Sequence, residues 1–506
     1  IEGSMSDEKI VHKENKIISS AIFTSFLKYG VNIVSGLVFY IFTARFFGSE
    51  IIGIFAFLMM FIGIFGILTN FAEQGGFIRV LNKYPQDSPN ASALCIVFFV
   101  MTFLITAILA MPALLLGKYI IVDIYHKDIF PYFAILLVSY LLFTNTAAIL
   151  NSIYAAYQQI KYPLIAEIAI FIAKISAFVC VYFCFTKSIT SFVGLQVLID
   201  ISSCVFMLVF IGKVINLNIR WNKDIFKTAY EDFKEALIFG LKLLPKNTNY
   251  LITEYTDRAV IPLYLPISAL GIYYVVYQIF SKLATMDSIF SRMLYPSLSR
   301  LFYGEKFEEL IIIYRETQIK VLVFMGLACA LVCGFSTTIL GIFGEEFSKG
   351  TLVLCILVLG ILINVFSTLP STLITAMNKP LFVSFTMCIV AVVNFILNIV
   401  LIPKIGLEGA AWANTAGLLI GAVIFNIAFD VILKEKVYNI SYSLKLGKIL
   451  FLILLVTLIS KIIEIKFHSI ILMFVCFAVF TLLYFILLEK FNLFNIRNTI
   501  KEIVKK

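Results

Sequence analysis

Short polar segments divide the chain into about fourteen apolar runs, each roughly the twenty residues that an α-helix needs to cross about 30 Å of hydrocarbon. The runs fall at 18–44, 51–70, 91–116, 131–154, 163–186, 188–212, 236–262, 268–291, 319–343, 350–376, 381–402, 408–433, 446–465 and 469–489. With 61% hydrophobic residues, 14% charged residues and a mean hydropathy of +1.00, the chain is too apolar for a soluble fold, in which about a quarter of residues are charged. The expected fold is therefore an all-α polytopic membrane protein. No soluble catalytic domain fits, because the longest interval without a spanning pattern, 213–235, accommodates an amphipathic helix and little more. The short join at Lys187 leaves a long re-entrant hairpin as a competing reading of the fifth and sixth runs. Ile1–Ser4 ahead of Met5 read as an expression remnant, and the polar residues after Met5 give no expectation of a cleavable signal peptide.

Lysine and arginine fix the expected orientation, since loops rich in them stay on the cytoplasmic side. Lys9, Lys13 and Lys16, the 213–235 loop, the 292–320 loop, Lys434 to Lys448 and the 490–506 tail all carry such clusters and alternate with poorer loops. Both termini are expected in the cytoplasm, with the protein in the cell membrane. The formal net charge of +10 is then a topology signal with some attraction to anionic lipid, and it makes no case for nucleic acid.

The run 236–262 is apolar enough to span yet carries Lys242, Lys246, Asn249, Thr253 and Asp257 at helical spacing along one face. An ionised group at membrane depth costs several kcal/mol, so this face is expected in a watered cavity or against a partner. Lys242 either joins that cavity or snorkels to the cytoplasmic surface. Lys246 lies deeper, beside the helix-kinking Pro245. Glu254 and Arg258 read as a structural i, i+4 ion pair, and Asn394 and Asn398 as interhelical hydrogen-bonding groups. Lys174 and Asp200 are compatible with a mutual salt bridge or with ion coupling. The paired cysteines Cys180/Cys184 and Cys329/Cys333 have no histidine near them, so no metal, cofactor or disulfide is expected. No GxxxxGK[ST] loop is present for ATP.

The chain also repeats. An offset of 218 lays TARFFGSEIIGIFAF (43–57) on IPLYLPISALGIYYV (261–275), setting Gly53 on Gly271 and Lys28 on Lys246. A polar turn with Lys and Pro recurs in AAYQQIKYPLIAE (155–167) and TAMNKPLFVSF (375–385), and Gly194 pairs with Gly409. The expected organisation is a cytoplasmic segment 1–17, an N-lobe 18–212, a linker 213–235, a C-lobe 236–433, a helix pair 434–489 and a basic tail 490–506. Two pseudo-symmetric six-helix lobes thus leave two C-terminal helices over.

In this order, ARFFGSEIIGIFAF, TDRAVIPLYLPISALGIYYVVYQIFSK and LITAMNKPLFVSFTMCIVAVVNFILNIVLIPKIGLEGAAWANTAGLL make the chain resemble the Wzx-like polysaccharide flippases of the multidrug/oligosaccharidyl-lipid/polysaccharide (MOP) exporter superfamily. Arg45, Gly48 and Gly53 match the opening motif, and Asp257, Arg258, Gly271 and Tyr273 the second. The resemblance implies a secondary transporter, not an enzyme. It would move a polyprenyl-pyrophosphate-linked glycan to the outer leaflet by alternating access, with membrane lipids and polysaccharide polymerase machinery as partners. Antiport of H⁺ or Na⁺ is the superfamily's ordinary driving force.

Chemistry points the same way, since a pyrophosphate and glycan need a wet, cationic passage while the prenyl tail stays in lipid. Lys28, Lys174, Lys242, Lys246 and Lys282, with Arg45 at an outer edge and Asn249 in the polar stripe, are the expected substrate contacts. Glu167, Asp200 and Asp257 are the expected coupling carboxylates. The last two spans either form a groove for the prenyl tail, as resemblance to lipid II flippases implies, or pack peripherally. A lipid II flippase, a MATE-type drug/cation antiporter and a membrane-embedded glycosyltransferase or ligase remain the alternatives.

Overall fold

The spanning elements follow from bilayer-length apolar runs that must satisfy their own backbone hydrogen bonds, for which the helix is the available solution. The computed structural model describes residues 2–70, 76–215, 222–433, 436–467, 469–491 and 493, with side chains described outside 2–23, 25, 26, 243–253 and 287–297. Among the described residues the elements are helical and no strand occurs. In order they are α1 (Glu2–Thr69), α2 (Ile78–Leu81), α3 (Pro89–Lys118), α4 (Phe130–Ser139), α5 (Asn145–Ala156), α6 (Lys161–Cys184), α7 (Ile189–Val209) and α8 (Lys223–Tyr264). There follow α9 (Ile267–Tyr303), α10 (Phe307–Gly334), α11 (Ser336–Phe343), α12 (Thr351–Ala376), α13 (Pro380–Ile405), α14 (Leu407–Leu433), α15 (Ile440–Phe467) and α16 (Ile470–Lys490).

Twelve stretches among the described residues are long and apolar enough to span a membrane. The first, Leu27–Thr69, breaks at Gly48 (φ 80°, ψ 173°) into two legs, and α8 with its polar stripe brings the number to about fourteen. The chain is thus an all-α multi-pass membrane protein. The ninth run differs from expectation. Helix α10 starts earlier, at Phe307, where Glu308 and Glu309 favour a helix N-terminus, and it ends at Gly334 before the separate α11.

The structure carries the internal repeat at the polar turns. Tyr157, Gln158 and Gln159 N–H donate to Ile153, Ala155 and Tyr154 carbonyls, and Met377, Asn378 and Lys379 do the same to Leu373, Thr375 and Ile374. Gln158 (φ 54°) and Asn378 (φ 59°) hold the same left-handed position in this helix-terminating turn. Every equivalent pair is 220 residues apart.

By contacts the chain forms two compact units, Ile1–Phe47 with Ile54–Leu251, and Gly48–Gly53 with Ile252–Lys506. In the first unit a buried aromatic core of Phe77, Phe98, Tyr154 and Phe233 packs α3 and α5 against the start of α8. Phe77 stacks on Phe98 at 3.9 Å, and the Tyr154 hydroxyl donates to the Met207 carbonyl at 2.6 Å. An ionic clasp lies beside it: Lys83 Nζ donates to Asp232 at 3.0 Å and Glu235 at 2.6 Å, and the Tyr84 hydroxyl donates to Asp232. The Glu235 and Asp232 hydrogen bonds hold the Lys83 ammonium above its ordinary range, and burial with the Asp232 bond pushes the Tyr84 phenol up to about 12. A raised lysine means a clasp fully formed below the ordinary lysine pKa and lost only as pH climbs through the raised value.

In the second unit two helices cross at backbone contact. A Cβ on Gly53 would strike the Ile267 carbonyl and the Gly271 amide, and a Cβ on Gly271 would strike the Ser49 carbonyl and the Gly53 amide. Ser49 and Gly53 stand on Ile267 and Gly271 in the 218-residue repeat, so the crossing is reciprocal. At the Gly48 corner the Glu346 carboxylate accepts from Ser49 N–H at 2.7 Å and Ser49 Oγ at 2.6 Å, capping the second leg of α1. Gly53→Ala is expected to lower stability by about 2–3 kcal/mol, because backbone cannot yield as a side-chain end can. Gly30→Ala, with nothing within 4 Å of its Cβ, should be neutral or gain up to about 1 kcal/mol. Thermal unfolding in detergent checks this, and equal shifts for the two variants would contradict the close crossing.

Candidate functional site

Helical spacing aligns polar groups on facing helices of the first unit. Lys28, Asn32 and Ser35 share one face of α1, and Glu167 and Lys174 lie two turns apart on α6. Lys28 Nζ donates to Asn151 Oδ1 of α5 at 2.8 Å, Asn32 Nδ2 to Glu167 Oε1 at 2.8 Å, and Lys174 Nζ to Ser35 Oγ at 3.4 Å. The result is a polar seam between α1, α5 and α6, with Lys28 and Lys174 half-buried and Glu167 buried. Lys28 directs one of its three donors at a neutral amide, which leaves capacity for an anion. Asp200, half-buried on α7, accepts from neutral groups: Ser139 Oγ at 2.7 Å, Gln196 Nε2 at 2.9 Å and the Thr144 hydroxyl. The alternative of a Lys174–Asp200 salt bridge is therefore not the arrangement found.

A second network lies in the second unit. Asp257 is fully buried and accepts from the Tyr273 hydroxyl of α9 and from Asn398 Nδ2 of α13, the latter at 2.6 Å. Asn398 also donates to Asn394 Oδ1 at 3.1 Å, in keeping with the interhelical role read from their spacing. Glu254 accepts from Arg258 at 2.9 Å and from the Tyr277 hydroxyl at 2.7 Å. The Arg258 guanidinium sits 5.1–5.2 Å from the ring centres of Tyr255, Tyr274 and Tyr277, a cation–π cage that replaces water around a buried charge. Carboxylate, amide and hydroxyl oxygens are hard donors, suited to a proton or an alkali cation. Among the described residues no group of three His, Cys, Asp or Glu side chains is placed to hold a metal ion.

The structure corrects one expectation about the stripe. Asp257 does not share an accessible face with Lys242: the former has no exposure, while the latter is exposed. Fifteen residues of an α-helix accumulate about 60° of rotation, and α8 changes its packing unit at Leu251, so the two ends of the stripe meet different neighbours. Lys246 and Asn249 lie outside the residues with described side chains. Arg45 is exposed just before the Gly48 corner, and Lys282 is half-buried on α9. Sequence reasoning overlooked Asn32, Asn151 and Glu346. Asn32 was detectable, one turn beyond Lys28 on the same face, whereas Asn151 and Glu346 act through contacts remote in the chain.

Fold and buried charge networks together define a multi-pass helical membrane protein. Residues 18–302, more than half of the chain, match the family described as polysaccharide biosynthesis protein, and the chain belongs to that family. Among solved structures it is similar to the lipid II flippase MurJ in an inward closed conformation, with a TM-score of 0.69 at 16% identity over 93% of this chain and 99% of that one. It is also similar to an inward-facing multidrug resistance MATE family transporter, with a TM-score of 0.59 at 12% identity over 82% of this chain and 98% of that one. A MOP superfamily transporter from Pyrococcus furiosus, described by the reverse polarity of its binding pocket, gives 0.54 at 11% identity over 83% and 95% of the two chains. At these identities the likeness is one of fold. No curated protein matches the sequence.

Removing one partner of a buried ion pair leaves an uncompensated charge. Arg258→Met is expected to destabilise the protein by about 3 kcal/mol, and Glu254→Gln added to it should restore a large part. Thermal unfolding of the single and double variants in detergent tests the coupling, and simple additivity would show that the two charges do not depend on each other.

Proposed function

We propose that the chain is a flippase carrying a polyprenyl-pyrophosphate-linked oligosaccharide from the cytoplasmic to the outer leaflet of the cell membrane by alternating access, coupled to H⁺ or Na⁺. The observation that carries this reading is the lysine-bearing seam of Lys28 and Lys174 inside a chain that belongs to a polysaccharide biosynthesis family. An anionic headgroup at membrane depth needs cations, and ammonium groups are point charges that can release it again on the far side. Lys28, Lys174, Lys242, Lys246 and Lys282, with Arg45 and Asn249, are the proposed contacts to pyrophosphate and glycan.

Coupling falls to the carboxylates. Asp257 meets only neutral hydrogen-bond donors in its network, so its charge is compensated by dipoles rather than by a cation in contact. Such a group takes up a proton or an alkali cation when its surroundings shift between states. Glu167 links coupling to substrate contact through Asn32, one turn from Lys28. Asp200, held by neutral groups, is the third candidate.

A lipid II flippase is the second reading, favoured by the 93% coverage of this chain by that fold. The MATE-type reading is weaker, because those structures leave more of this chain uncovered.

Leaflet movement of a fluorescent polyprenyl-pyrophosphate oligosaccharide in proteoliposomes tests the proposal. Imposed H⁺ or Na⁺ gradients should drive flipping in the wild type. Lys28→Ala and Lys246→Ala should slow it at least tenfold, and Asp257→Asn and Asp200→Asn should impair it without loss of expression. Unchanged flipping in the lysine variants would remove the cationic seam from the mechanism, and full activity in either aspartate variant would remove that residue from coupling.

A further inference from the structure

The last two spanning helices carry a cavity of about 780 Å³ that the transport reading does not use. Its floor is one face of α15: Ser443, Gly447 and Phe451 form one row at four-residue spacing, with Leu444 and Lys448 in the row beside it. Gly447 cuts the notch, since a Cβ built there meets nothing within 4 Å. Phe491 closes the far side, in a turn fixed by hydrogen bonds from Phe491 N to Leu487 O (3.0 Å) and from Leu493 N to Leu488 O (2.9 Å).

The near wall is equally fixed. Tyr438 lines it and is held through its hydroxyl by Gln318 Nε2 at 2.9 Å, while Arg315 Nε donates to the Val437 carbonyl at 2.8 Å. Asp430 accepts from Val437 N–H at 3.1 Å, and Asn439 caps α15 by accepting from Tyr442 N–H at 2.8 Å. Burial holds the Tyr438 phenol above its ordinary range, so it stays a neutral hydrogen-bonding group. These ties hold the near wall to α10 and α14.

Its chemistry is that of an amphiphile site. Among the described residues the lining is almost wholly apolar, and Lys448 is the single charged residue. Lys448 lies about 12 Å along α15 from its first residue, at the end where lysines crowd, so its ammonium reaches the boundary between hydrocarbon and headgroups by snorkelling. Lys445, three residues earlier, adds positive charge on the same stretch of helix. We infer that this groove holds one anionic glycerophospholipid, with its phosphodiester on Lys448 and one acyl chain along Leu444, Gly447 and Phe451. A groove that sets a described cation beside apolar walls suits an anionic amphiphile. The inference stands independently of the proposed substrate.

The test uses the full-length protein in nanodiscs of mixed phosphatidylethanolamine and phosphatidylglycerol with added polyprenyl phosphate, followed by native mass spectrometry after mild detergent release. The wild type should retain one phosphatidylglycerol per chain. Gly447→Trp, which fills the notch, and Lys448→Glu, which repels the phosphate, should each retain at most a tenth as much, while Gly447→Ala should behave as wild type. Gly447 faces open space and Lys448 is exposed, so lipid-stripped variants should melt as the wild type does. Retention of no lipid, of phosphatidylethanolamine equally, or of polyprenyl phosphate in preference would overturn the assignment. So would undiminished phosphatidylglycerol in both variants.

Discussion

Hydrocarbon offers no hydrogen bonds, so every polar group that the chain carries into the membrane has to be answered by another part of the protein. Four charged residues inside the described spans obey this in pairs and chains. Asn32 answers Glu167, Asn151 answers Lys28, Tyr273 and Asn398 answer Asp257, and Glu254 with three tyrosine rings answers Arg258. These contacts tie together helices whose other facing surfaces are largely apolar. They also place the chemistry: lysines hydrogen-bonded to Asn151 and Ser35 in one unit, a wholly buried carboxylate in the other.

Two helices belong to both units. Helix α1 contributes its Gly48–Gly53 corner to the second unit, where Glu346 caps it and Gly53 packs on Gly271. Helix α8 begins in the first unit, clasped by Lys83 at Asp232 and Glu235, and ends in the second with Asp257 and Arg258 buried.

Length and hydropathy are local properties, and the elements that depend on them alone were legible. Helices α12, α13, α14 and α16 fall within a few residues of their apolar runs. The repeat was legible for a related reason, because a turn demanding a left-handed residue leaves the same imprint at Gln158 and Asn378. The break between α10 and α11 was not, since Phe335 carries no turn signal. The split fate of the stripe on α8 was hidden for another reason: helical periodicity presumes one neighbour along the whole helix, and this helix has two. Pairings such as Ser49 with Glu346 or Asp257 with Asn398 join residues more than a hundred positions apart, and one sequence holds no record of them.

The central claim is that the lysine seam exists to receive an anionic lipid headgroup. Its most direct measurement is equilibrium binding, to the detergent-solubilised full-length protein, of a short-chain polyprenyl-pyrophosphate saccharide, the same prenol without its pyrophosphate, and a cationic dye. Binding of the pyrophosphate lipid at least tenfold tighter than the bare prenol, weakening as salt is raised, with no competition from the dye, is the expected result. Equal affinity for the two prenols, or preferred binding of the dye, would contradict the claim and leave Lys28 and Lys174 in a structural role, beside Asn151 and Ser35.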